Sequence, residues 1–159
     1  MNKTSLRTVF FCFLFSFTFS QFNSSIKTAR MYEIKKDWDA AISIYKDIIS
    51  KSPNNFQAIR SLKNIYKKSQ RYKDGINFLQ YYLISNPKDI HLIIELGEFY
   101  YLNENIDQAK KVWFDGINKF NNNKSFYRIL LTTYDKYSLD KEMFDMVDKG
   151  RKRFGDNFL

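Results

Sequence analysis

Apolar positions recur at spacings of three and four along most of the chain, in helix-length stretches parted by short polar breaks. Trp38, Ala41, Ile42, Tyr45, Ile48 and Ile49 trace one such stripe. Ile59, Leu62 and Tyr66 trace the next, followed by Tyr72, Ile76, Leu79, Tyr82 and Leu83. Ile93, Leu96, Gly97 and Tyr100 come after them, then Ile106, Ala109, Trp113 and Ile117. Tyr127, Leu130, Leu131 and Tyr134 precede a last, looser stripe of Met143, Phe144 and Val147. Spacing of this kind puts all members on one side of a helix with 3.6 residues per turn, so each stretch predicts an amphipathic helix with one buried face.

The breaks have a regularity of their own. Lys35-Lys36-Asp37 and Ser69-Gln70-Arg71 each separate two stripes within a pair. Pro53-Asn54-Asn55-Phe56 and Asn86-Pro87-Lys88-Asp89 separate one pair from the next, with their prolines 34 residues apart. Asn121-Asn122-Asn123 takes the third such place, a loop that asparagine tolerates well. Asp37 and Asp39 flank Trp38 where a helix begins, which suits aspartate as a cap better than as a catalytic acid. A helix pair repeated every 34 residues is the signature of a helical solenoid.

At this point the pattern resembles the tetratricopeptide repeat. The small residue of that family's second helix falls on Ala41, Gly75 and Ala109, with Met143 in the fourth place. The large residue before it falls on Trp38, Tyr72 and Ile106; Asp140 occupies the fourth place, with Leu139 taking its role by a shift of one. The first-helix aromatic falls on Tyr32, Tyr66, Tyr100 and Tyr134. Gly97 and Ala29 match the family's small first-helix residue, whereas Lys63 and Leu131 depart from it. The resemblance implies an all-α, right-handed α-α superhelix (solenoid) of three and a half to four helix pairs, at about 22–52, 56–86, 90–120 and 124–154. Residues 155–159 then read as an uncapped end, in phase with the turn that opens a further pair.

Residues 1–20 read differently. Lys3 and Arg7 form a positive start, Val9 to Phe19 an apolar centre, and Thr18 and Ser20 the small residues before a cut ahead of Gln21. These are the parts of a secretory signal, and the apolar run falls short of the ~20 residues that span a bilayer. The expectation is an exported protein, periplasmic, envelope-associated or secreted; an anchor retained at this end is the rival, and the leader is then the only expected membrane contact. Cys12 is the sole cysteine and leaves with the leader, so neither disulfides nor thiol chemistry are expected. The formal charge of +9 falls to +7 without Lys3 and Arg7, which favours acidic partners.

Catalysis finds little support. His91 is the only histidine, so no His-pair metal site is available, and neither His-Glu-x-x-His nor Gly-x-Ser-x-Gly occurs. No cofactor is expected. Lys35-Lys36, Lys67-Lys68, Lys110-Lys111 and the run Lys149 to Arg153 fall on different faces, so no nucleic-acid partner is expected either. The resemblance implies instead a non-enzymatic scaffold that grips a peptide or partner protein in the concave groove of its first helices. Carried across, the groove positions include Arg30, Arg60, Asn64, Lys67, Lys68, His91, Glu98, Tyr101 and Arg128. With Glu33, Asp135 and Lys136 they carry six cations and three acids, which suits a carboxylate-bearing ligand. Arg60 and Asn64, one turn apart, are similar to part of a carboxylate clamp, while Glu95 and Ser125 depart from the rest of it. Two alternatives stand beside this reading. One is self-association through the uncapped last repeat; the other is an amino-terminal adaptor of a longer enzyme or assembly protein.

Overall fold

The computed structural model describes residues 25–155 and Phe158; the expected leader lies outside the described residues. Those residues form helices and short turns, with no strand among them. Residues 25–34 form α1, followed by α2 (Trp38–Lys51), α3 (Phe56–Lys68) and α4 (Tyr72–Ser85). Then come α5 (Ile90–Leu102), α6 (Ile106–Lys119), α7 (Lys124–Lys136) and α8 (Asp140–Phe154). This is the all-α helical-repeat architecture that the 34-residue period predicts.

The polar breaks set the boundaries. Asp37, Asn55, Asp89, Asn105 and Asn123 each stand at a helix start and accept a hydrogen bond from a backbone N–H in the first turn, which satisfies a donor the helix itself cannot. Asn55, Asp89 and Asn123 are 34 residues apart, so the cap repeats with the period. The turn inside each pair repeats as closely: Lys36, Gln70, Glu104 and Ser138 have φ of 57°, 57°, 59° and 53°. All four are in the left-handed region without being glycine, a placement that costs roughly 1–2 kcal/mol each. Glu104→Gly removes that clash and keeps the N–H donated to the Tyr101 carbonyl. We expect a gain of about 1 kcal/mol, after glycine's greater loss of freedom on folding is subtracted. An unmoved or lowered urea midpoint contradicts this.

The helices pack as two units, one ending at Gln70 and the other starting at Arg71. In the first, α2 packs on α3. Ala41, Ile42, Tyr45 and Ile48 are buried on α2, and Ala58, Ile59, Leu62, Ile65 and Tyr66 on α3. In the second, α5 is central and touches α4, α6 and α7, while α7 carries α8. Glycines there are seats for aromatic rings. A Cβ on Gly75 would lie 2.1 Å from the Phe99 ring, one on Gly97 2.1 Å from Trp113, and one on Gly116 2.5 Å from Phe126. Absence of a side chain lets neighbouring helices close on each other, which is the physical content of the small-residue places.

The structure departs from the stripe expected on α8. Phe144 is 68% exposed and Met146 is buried instead, because the inward face runs through Met143, Met146, Val147 and Gly150. Leu139 does take the place that Asp140 occupies by phase: it packs on the core while Asp140 is exposed. Tyr66 and Tyr134 are buried, but Tyr32 and Tyr100 only half so. The Tyr100 hydroxyl accepts from Gln80 Nε2 at 3.0 Å, which holds the polar tip of that ring towards water. The apolar end read as uncapped is in part covered. Phe158 is fully buried, stacked on Phe154 with centroids 5.5 Å apart and set edge-on to Tyr127, over Gly150.

Candidate binding groove

Within the first unit, α3 turns two unlike faces outward and inward. Ala58, Ile59, Leu62, Ile65 and Tyr66 face the core. That leaves Gln57, Arg60, Ser61 and Asn64, at steps of three and four, as one polar stripe on the opposite side. On α1, burial of Ile26 and Ala29 turns Arg30 outward in the same way. Arg30, Phe56, Gln57, Arg60, Ser61 and Asn64 together line an open groove of about 590 Å³. Three of the expected groove residues, Arg30, Arg60 and Asn64, are thereby brought to one place from two helices.

The chemistry of this groove is that of an anion receptor. It presents two guanidinium groups, two side-chain amides and a hydroxyl, with the Phe56 ring 80% exposed beside them. Among the described residues no carboxylate is in ion-pair contact with Arg30 or Arg60. The nearest acid of α1, Glu33, is otherwise engaged: the Tyr45 hydroxyl donates to its Oε1 at 2.6 Å. Tyr45 is fully buried, and burial together with that carboxylate pushes its phenol up to about 12. It therefore stays protonated and remains a donor at neutral pH.

The other expected positions divide. Lys67 and Lys68 fall in the last turn of α3, where they complement the helix dipole, and neither lines the groove. In the second unit Glu98 and Tyr101 do come together, but with Lys136 of α7 and Tyr137 that caps it. Glu98 is buried and receives Lys136 Nζ at 2.8 Å and the Tyr137 hydroxyl at 3.4 Å. Tyr101 packs on Tyr137 at 4.5 Å between centroids, and Lys136 Nζ lies 4.8 Å over the Tyr137 ring. Burial raises the Tyr137 phenol, with the Glu98 charge adding to it. Burial works against the charge of Lys136, yet its bonds to Glu98 and Tyr137 prevail and its pKa is raised. This cluster is closed on itself rather than open to a ligand.

His91 is exposed in the first turn of α5, and Arg128 is exposed on α7 with its Nε donating to the Phe158 carbonyl at 3.3 Å. Phe56, Ser61 and Tyr137 were not legible as functional positions. Phe56 opens α3 directly after the Pro53-Asn54-Asn55 turn, off the apolar stripe, and Ser61 and Tyr137 carry no charge that would single them out. Among the described residues no group of His, Cys, Asp and Glu could hold a metal ion, and no helix is long and apolar enough to cross a membrane.

Comparison with known proteins accords with this architecture. No family model matches the chain. It is 35% identical over 79 residues to the signal recognition particle subunit SRP72 of Homo sapiens, a stretch that takes in 45% of this chain and 12% of that protein. Among solved structures, it is similar to a crystal structure of MamA protein, with a TM-score of 0.53 and 18% identity over 82% of this chain and 72% of that one. Residues 41 to the end of MamA from Desulfovibrio magneticus RS-1 give the same TM-score at 15% identity, over 80% and 72%. Likeness at that level speaks to the fold.

Proposed function

We propose that this chain, a tetratricopeptide-repeat protein in fold, is a protein–protein interaction scaffold with no reaction of its own, whose α1/α3 groove takes a carboxylate-bearing segment of a partner. The observation that carries the reading is the pair of guanidiniums, Arg30 and Arg60, without a carboxylate partner among the described residues and flanked by Gln57 and Asn64. An arginine fork matches the two oxygens of a carboxylate, and such charge-assisted bonds orient the ligand as well as attract it. The exposed Phe56 ring offers an apolar neighbour for whatever residue bears the acid. The second unit fits that use less well, since its Glu98 and Lys136 neutralise each other. The positive start and apolar centre of residues 1–20 support an exported or envelope-associated setting.

Arg30→Glu/Arg60→Glu tests this directly. The probe is a fluorescein-labelled Gly-Ser-Asp-Glu-Glu peptide with a free terminal carboxylate, titrated against the full chain by fluorescence anisotropy. Hydrogen bonds to charged groups are worth roughly 1.5–3 kcal/mol each, so the double reversal should weaken binding by tenfold or more. Equal affinity in the wild type and the double variant, with both folded by circular dichroism, contradicts the assignment.

A further inference from the structure

Among the described residues the two guanidiniums of the groove have no carboxylate partner, although an acid stands close by, and that requires an explanation. Glu33 lies three residues after Arg30 on α1, a spacing at which opposite charges on a helix normally meet. Arg30 is near enough to Tyr45 to favour that phenol's ionised form, so it shares the neighbourhood in which Glu33 is held. Yet the Glu33 carboxylate is in ion-pair contact with neither arginine; it accepts a hydrogen bond from the buried Tyr45 hydroxyl at 2.6 Å. Ser61, which lines the groove, is near enough to the Tyr45 hydroxyl to favour its ionised form. A polar link thus runs from α2 to α1, Tyr45 to Glu33, with Ser61 of α3 beside it.

We infer that Tyr45 is a positioning residue for the groove: its hydroxyl holds the Glu33 carboxylate off Arg30 and Arg60, and so leaves both open to a carboxylate from a partner. This rests on the groove reading above and adds to it an internal competitor and the group that restrains it. Without the phenol oxygen, Glu33 loses the hydrogen bond that ties it to α2 and swings to the nearest cation one turn away. The groove then carries its own anion, and an acidic ligand has to displace it.

The test uses the same labelled acidic peptide and the full chain in four forms besides wild type. Tyr45→Phe should weaken binding about fivefold, the loss of one charge-assisted contact to the ligand. Glu33→Gln should bind at least as well as wild type, since the competitor is gone. Tyr45→Phe/Glu33→Gln should recover wild-type affinity, which a variant that merely loosens the packing of α2 cannot do. Arg30→Gln/Arg60→Gln decides between the two levels of the argument. If the arginine variant binds as wild type, the groove reading itself falls. If it binds weakly while Tyr45→Phe is unaffected, or while Glu33→Gln fails to rescue Tyr45→Phe, the groove stands and the positioning role of Tyr45 is overturned.

Discussion

Trp113→Ala is expected to lower the stability of the second unit by about 4 kcal/mol, within the range for removing a large aromatic from a packed core. Trp113 is fully buried on α6, and its ring fills the space that Gly97 leaves open on α5. Its Nε1 donates to the Ile94 carbonyl at 3.1 Å, a bond across two helices. Tyr134 meets it edge-on at 5.4 Å, and Tyr101 lies 6.4 Å away, so α7 leans on the same ring. Truncation takes away the apolar contact, leaves a cavity where three helices meet, and removes the indole donor from the Ile94 carbonyl. Domains of this size have only about 5–15 kcal/mol in hand, so much of the margin would go. Trp38→Ala is the internal comparison: Trp38 is half-buried at the start of α2, and its loss should cost distinctly less. The measurement is urea unfolding followed by helical circular dichroism. Equal midpoints for Trp113→Ala and wild type would remove α5–α6 packing as the centre of this unit.

The contrast between the two tryptophans bears on what the residues alone disclose. Both fall on the inward phase of their stripes, yet only one is enclosed, because burial depends on which helices come to lie over a position as well as on the face it occupies. Period and pairing were legible for a simple reason. The caps Asn55, Asp89 and Asn123 and the left-handed turns at Lys36, Gln70, Glu104 and Ser138 recur with one spacing, so local chemistry and repeat length agree. Phe144 misled because it adjoins Met143 in sequence while pointing a hundred degrees away on the helix, where Met146 and not Phe144 turns inward. In the groove, Arg30, Arg60 and Asn64 were legible through the resemblance to the tetratricopeptide repeat, whose groove positions fall on them. The closure of Glu98 by Lys136 was not, since the partners are 38 residues apart and on different helices. Tyr45 hid its polar bond behind a core position: an aromatic on an inward stripe announces burial and says nothing of where its hydroxyl goes.

Gly75→Val should prove nearly as damaging as Trp113→Ala, by the opposite mechanism. A Cβ at Gly75 would stand 2.1, 2.5 and 2.7 Å from three atoms of the Phe99 ring, and that ring is fully buried on α5. No rotation of a packed phenyl relieves all three contacts, so α4 and α5 must part, and valine adds two methyl groups to the wedge. Overpacking of this kind costs roughly 1–3 kcal/mol, and the upper end applies where the obstacle is a core ring rather than a mobile chain end. Phe99→Ala alone should also be costly, about 3 kcal/mol, for the hole it leaves over the bare glycine. The informative measurement is the double variant, Gly75→Val/Phe99→Ala. The valine then occupies part of the space the ring has vacated, so the two losses should sum to clearly more than the double variant loses, a coupling of about 1 kcal/mol or more between contacting residues. Strict additivity in urea unfolding would mean that glycine and ring do not share one space, and that the small residue at this place of the repeat serves something other than the approach of α5 to α4.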